Sequence, residues 1–329
     1  VKLSVVVVAY DMQREIPRTL QSLTRDYQTD CADLEYEVLV MDNGSPQPMD
    51  AGAITAFGDN FHYHYLPSPP PSPAMAMNHG ARLARGDILC FMIDGAHLLT
   101  PGVFKHALAS FRAFGDAIVL TRYFFLGPGD QNDTIADGYC REEEDRLLQS
   151  IDWPQQGYRL FEIGTPLQGD VPKITWFNKM TESNCLFMLK STFADIGGAD
   201  ERFDLPGGGF VNLDLYKRAA DHPGTEPVLL IGEGSFHQLH GGTTTNVAPE
   251  ERDREVARYK AQYREIHGQD LVLSDKPVHF LGHLPTLHSK IHMRNNARSH
   301  TPPTPELLES VRQTSPVASA NAAKATGES

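Results

Sequence analysis

Residues 3–10, LSVVVVAY, decide the fold. The run is apolar and β-branched almost throughout, which marks a strand buried on both faces, the habit of parallel sheets covered by helices. Directly downstream, Ile16, Leu20, Leu23 and Tyr27 recur at helical spacing, so the chain opens as strand then helix. The unit repeats. YEVLVMDNGS (36–45) reads as a strand ending in a polar turn, FHYHYLP (61–67) as a shorter alternating strand, and DILCFMIDGA (87–96) as a third buried strand. Residues 74–85 read as a helix. Thr100 and Pro101 form an N-cap and first-turn pair for another, carrying Val103, Phe104, Ala107, Leu108 and Phe111. Alternation of this kind predicts an α/β fold: Rossmann-like, a mostly parallel sheet flanked by helices.

Composition bounds the partners. The 329 residues are 40% hydrophobic, enough for one large core or two small ones. A formal charge of −13 repels polyanions, which argues against nucleic acid and makes any anionic ligand depend on a local cation or helix N-terminus. No window offers the roughly 18 uninterrupted apolar residues of a transmembrane segment. Cys31, Cys90, Cys140 and Cys185 lack the close pairing of zinc sites and read as the reduced thiols of a cytoplasmic protein.

In parallel sheets ligands gather beyond the carboxyl ends of the strands. Those ends carry Ala9-Tyr10-Asp11, Asp42-Asn43-Gly44-Ser45 and Asp94-Gly95-Ala96-His97. Three acids converging on one crevice suit a divalent cation, ribose hydroxyls and base N–H groups, although each alone is equally a turn residue.

Further along, AIVLTRYFFLG (117–127) and NCLFMLK (184–190) read as strands, with residues 127–180 largely as long loops around the crevice. Residues 249–267 form a charged helix ending near Gly268, and from Met293 the composition collapses into Pro, Ser, Thr and Ala.

Four pieces in this order resemble the family 2 glycosyltransferases of GT-A fold: VVVVAYDMQREIPRTLQSL (5–23), YEVLVMDNGS, AMNHGARLARGDILCFMIDGA (76–96) and FADIGGADERFDLPGGGFVNLDLYKRA (193–219). The resemblance implies a GT-A domain over 1–247, with a nucleotide-binding part at 1–100 and an acceptor and catalytic part at 101–247. A C-terminal helical extension (248–292) and a disordered tail or linker to another domain (293–329) would follow. It also implies that Ala9, Tyr10, Asp11, Asp42, Asn43, Gly44, Asp94 and Gly95 contact the nucleotide of the donor. For Asn78, donor contact and a packed helix amide stand as equal alternatives.

Two departures stand out. The family's Asp-x-Asp holds Mn²⁺ or Mg²⁺ on the leaving diphosphate. Here Asp94 keeps the first acid, while Ala96 cannot ligate and His97 lies one residue beyond. GEGSFHQLHGGTTTN (232–246) supplies His237 and His240 beside a glycine- and threonine-rich loop, so the expected metal ligands are Asp94 with His240, His237 or His97. Inverting members carry an acidic pair before x-Asp-Leu whose Asp is the acceptor's base; here Val211 and Asn212 stand there, leaving Asp214, which also reads as an i,i+4 partner of Arg218. NLDL (212–215) further resembles the Asn-Leu-Glu-Leu of the retaining polypeptide N-acetylgalactosaminyltransferases, and Glu182 is the alternative base.

The expected activity is therefore transfer of a hexosyl or N-acetylhexosaminyl group from a UDP-linked sugar to a glycan or lipid-linked acceptor, in surface-polysaccharide biosynthesis. It is expected in the cytoplasm or at the inner membrane surface. Two rivals are a degenerate GT-A domain that binds without turnover and a sugar nucleotidyltransferase. The latter wants a basic glycine-rich loop that AYDMQREIP (9–17) lacks.

Overall fold

The computed structural model describes residues 2–167, 174–181 and 184–284. Its strands are β1 (Leu3–Ala9), β2 (Tyr36–Asp42), β3 (Phe61–Tyr65), β4 (Ile88–Met92), β5 (His97–Leu99), β6 (Ala117–Leu126), β7 (Gly164–Pro166), β8 (Leu186–Leu189), β9 (Glu226–His237) and β10 (His279–Gly282). The α-helices are α1 (Ile16–Gln21), α2 (Ala51–Thr55), α3 (Ala74–Leu83), α4 (Val103–Phe114), α5 (Gln131–Thr134), α6 (Arg141–Ser150), α7 (Leu160–Ile163), α8 (Lys190–Asp195), α9 (Val211–Asp221) and α10 (Pro249–His267).

One sheet runs in the order β10-β9-β6-β8-β4-β1-β2-β3. Only β8 opposes its neighbours on this path, pairing antiparallel with β4 and β6. Every β1 side chain is buried, and the strand divides its valines between two cores. Val6 and Val8 pack on one face with α3 and α9, while Val5 and Val7 pack on the other with α1 and α4. Two-sided burial is why the run carries no polar alternation.

The partnership of β6 and β9 is irregular. Leu120 faces Leu229 and Arg122 faces Gly234, so β9 advances five residues while β6 advances two. Beyond the register shift their far halves gain β5 and β7 as antiparallel edges. A Cβ on Gly234 would come within 2.8 Å of the Phe124 ring, so glycine lets the two strands close there. This end of the sheet, where β5 and β7 join β9 and β6, is the platform for the site.

Several sequence expectations need correction. The region 127–180 is broken by α5, α6, α7 and β7, which the sequence reading left as loop. Helix α4 starts at Val103 with Gly102 as its N-cap, and the Thr100 hydroxyl donates instead to Glu233 at 2.5 Å. β9 was unforeseen. After α10, whose chain leaves through Gly268 at φ +70°, the chain returns to the main sheet as β10, parallel to β9. The proposed tail, 293–329, lies outside the described residues. No described helix is long and apolar enough to cross a membrane.

Candidate active site

Strand β4 ends at Met92 and delivers Asp94 to the crevice. Its Oδ1 accepts the Ala96 N–H at 2.9 Å, so the residue standing in the second acid's place contributes its backbone to orienting the first. Oδ2 meets His240 Nε2 at 3.1 Å and His237 Nε2 at 3.2 Å, and the two imidazole nitrogens are 3.0 Å apart. These three side chains could together hold a metal ion.

His237 is the last residue of β9, set opposite His97 in the β5 register. The His240 loop is fastened from outside. Leu239 N–H donates to buried Glu144 at 2.8 Å, the Arg141 guanidinium donates to His240 O at 3.1 Å, and Asn246 Oδ1 accepts from His240 N and Gly241 N. Glu144 in turn accepts from Arg14.

Behind the histidines lies Gln131, the first residue of α5. Its Nε2 donates to the carbonyls of Leu126 (3.0 Å) and His237 (3.1 Å), which leaves Oε1 to accept from Asn246 Nδ2 and from His237 Nδ1 at 2.7 Å. His237 therefore carries its proton on Nδ1 and presents a lone pair at Nε2. That lone pair faces Asp94 Oδ2, another acceptor. Two acceptors at this distance require a cation or the proton of His240 between them. One carboxylate and two imidazoles suit a divalent first-row ion, and a neighbour that orients the ligating histidine completes the arrangement.

The electrostatics agree. Burial alone would raise the Asp94 carboxyl, but His240 and His237 hold it well below its usual range. Burial lowers His237 despite Asp94. For His240 the same burial is outweighed by Asp94, and its pKa rises.

His97 does not join this group. Its ring is fully buried, stands edge-on to Tyr123 and His237 at 5.0 and 5.1 Å between centroids, and leaves both nitrogens without a hydrogen-bond partner. Burial, reinforced by His237, pulls its pKa down to about 3. It is a packing residue beneath the site.

Asp94 and His240 open into a cavity of about 1800 Å³, walled on one side by Ala9, Tyr10, Asn43, Gly44 and Pro69–Pro71 and on another by Thr243–Thr245. Tyr10 is 55% exposed, an aromatic face available for a base. Asn43 Nδ2 donates to Pro70 O and Ser72 O, while its buried Oδ1 has no partner.

Other expected donor contacts lie elsewhere. Asp42 is fully buried, its Oδ1 accepting Ser45 N–H at 2.9 Å and its Oδ2 the Tyr63 hydroxyl at 2.7 Å, so this carboxylate builds the turn behind Asn43. Asp11, at φ 54°, donates its N–H to Ser45 Oγ and does not line the cavity. Gly95 packs on β1, where a Cβ would sit 2.5 Å from Val8 O. Asn78 is the packed amide: Nδ2 donates to Ala199 O and Glu201, and Oδ1 accepts Ala199 N–H.

On the acceptor side Asn212 lines the cavity. Asp214 does not, because its Oδ2 accepts from Arg218 at 2.7 Å and its Oδ1 lies 3.1 Å from His267 of α10. Glu182 lies outside the described residues. Sequence reasoning missed Gln131, Asn246 and Arg122; for Gln131 the available signal was Asp130, a helix N-cap accepting from Asn132, which marks a helix start beside the crevice.

A mostly parallel sheet flanked by helices, with its polar residues collected at the strand ends, defines a GT-A glycosyltransferase domain. The chain belongs to glycosyl transferase family 2, whose sequence pattern matches residues 4–179, more than half of its length. No curated protein matches significantly. Among solved structures, S. aureus TarS 1–349 in complex with UDP-GlcNAc is 16% identical, with 80% of this chain and 67% of that one covered at a TM-score of 0.47. Glucosyl-3-phosphoglycerate synthase from Mycobacterium tuberculosis, in complex with Mg²⁺ and UDP, is likewise 16% identical, over 81% and 79%, at 0.47.

Proposed function

We propose that the chain transfers a hexosyl or N-acetylhexosaminyl group from a UDP-sugar to a glycan or lipid-linked hydroxyl, using Mn²⁺ or Mg²⁺ held by Asp94, His237 and His240. The observation that carries this reading is the meeting of three ligand atoms around Asp94 Oδ2, with the His237 lone pair fixed toward it by Gln131. When bound, the ion neutralises charge on the departing diphosphate as a Lewis acid.

The remaining work falls to the chain. Asn43 Oδ1, an acceptor without a partner, takes the N3–H of uracil, while Tyr10 and Pro69–Pro71 wall the ring. The hydroxyls and N–H groups of Thr243–Thr245 lie along the same cavity and meet diphosphate oxygens. With Asp214 engaged by Arg218, Glu182 is the carboxylate proposed to take the acceptor's proton.

Incubation with a panel of UDP-sugars tests this directly. Mn²⁺-dependent release of UDP is expected. Absence of UDP binding, or release indifferent to a chelator and to Asp94→Ala, overturns the reading.

A further inference from the structure

We propose that Arg122 forms an anion-binding subsite in the acceptor half of the cavity, one that receives a phosphate or carboxylate carried by the acceptor. This rests on the transferase reading above and adds the acceptor's chemical class to it.

Arg122 sits in β6 just past the bulge, fully buried yet part of the cavity wall. Its Nη2 donates to Trp176 O at 3.2 Å and Asn178 O at 2.5 Å. Among the described residues Nη1 reaches the thioether of Met180 at 3.2 Å, and buried Nε finds no partner. A guanidinium offers five N–H donors, so two of five end on oxygen. No carboxylate pairs with it among the described residues, and burial alone pulls its pKa down to about 10.

The contrast with other arginines is sharp. Arg14, Arg18 and Arg218 each meet an acid, in a chain holding 42 acidic against 29 basic residues. A buried charge without a counter-charge is expensive, and no acid among the described residues compensates this one on the cavity wall. Lys179, one residue beyond Asn178, repeats the pattern: its ammonium donates to Ser274 O and Lys276 O and lines the same cavity. Among the described residues the oxygens that hold these two cations are backbone carbonyls, Trp176 and Asn178 for Arg122 and Ser274 and Lys276 for Lys179. The pair matches an oxyanion, which the guanidinium receives through N–H groups of Nε or Nη1 that no oxygen occupies. The diphosphate of the donor has Asp94 and the histidines, with any ion they hold, as its own anchor.

The probe is inorganic phosphate, titrated calorimetrically into protein already saturated with UDP and Mg²⁺, with Trp176 fluorescence as a second readout. Phosphate is expected to bind beside UDP, and Arg122→Met to weaken it at least tenfold while UDP affinity is unchanged. Equal phosphate binding by Arg122→Met overturns the subsite. So does exclusion of phosphate by UDP, because the anion site is then the donor's own. Should Arg122→Met fail to fold, Arg122→Lys keeps the charge without the fork; it is expected to weaken phosphate about tenfold, and unchanged affinity counts against the proposal. Failure of the wild-type protein to bind UDP would instead defeat the donor reading, so the two failures are distinguishable.

Discussion

His237 donates its Nδ1–H to Oε1 of Gln131 at 2.7 Å, and that single bond decides what the opposite ring nitrogen offers to Asp94. Because the Gln131 amide is itself oriented by two carbonyls, the imidazole cannot adopt the other neutral tautomer without placing two acceptors together. Gln131→Leu is accordingly expected to lower Mn²⁺ affinity by about 10- to 100-fold, the range typical of outer-shell partners. Titration of Mn²⁺ followed by electron paramagnetic resonance checks it; unchanged affinity would mean the bond is merely structural.

Asp94 is the residue on which both histidines converge, so Asp94→Ala should abolish the metal dependence of UDP release. Turnover is expected to fall by roughly 10² or more, given the size of electrostatic contributions at transferring phosphates. Because the histidines hold the Asp94 carboxylate well below its usual range, a lower melting temperature should accompany the loss, so turnover is compared on the folded protein.

Asn43→Leu removes an unpaired buried acceptor and closes it with an apolar group. UDP affinity is expected to drop about tenfold, the worth of one hydrogen bond of roughly 1.4 kcal/mol. Calorimetry with UDP and with UMP reads the effect, which should be equal for both if the contact is to the base.

Asp214 and Glu182 separate two accounts of acceptor activation. Asp214→Asn breaks an ion pair with Arg218 inside the fold and should lower stability by roughly 1 to 3 kcal/mol, with little change in turnover of the protein that remains folded. Glu182→Gln should cut transfer by about 10² or more. The reverse pattern, measured by thermal melts beside sugar transfer, would return the base to Asp214.

His97 gives the fold a defined acid sensitivity. Its pKa is about 3 in the folded state against 6.5 when free, so between those values the unfolded chain binds the extra proton. Stability contributed by the neutral ring is complete well above pH 6.5 and declines as pH falls toward 3, by roughly 3 kcal/mol at pH 4. His97→Phe, which retains the edge-on contacts with Tyr123, should flatten that slope in urea melts at pH 7 and pH 4. An undiminished slope would assign the acid sensitivity to other groups.

Much of this was legible in the residues. LSVVVVAY fixes a strand buried twice over because no helix or one-faced strand needs so long an unbroken β-branched run, and β2 and β4 repeat the logic. The charged helix at Pro249–His267 and its glycine stop were equally readable, since propensity and capping are local. The strand-end acids could be found by the same route. Their assignments could not, because Asp42 and Asp94 end similar strands and differ only in what stands opposite: Tyr63 and the Ser45 N–H for one, two imidazoles for the other.

Sequence alone determined the layered α/β architecture and the crevice at the strand ends, both consequences of periodicity and short-range chemistry, while the candidacy of Asp94 with a late histidine was implied by the family resemblance. Tertiary structure decided that His237 and His240 meet Asp94 while His97 does not, that Gln131 sets the tautomer, and that Arg122 meets no acid among the described residues. Those outcomes depend on the register shift between β6 and β9 and on residues 106 or 143 positions apart in the chain yet within 3.2 Å. Spacing along a sequence carries no record of such distances.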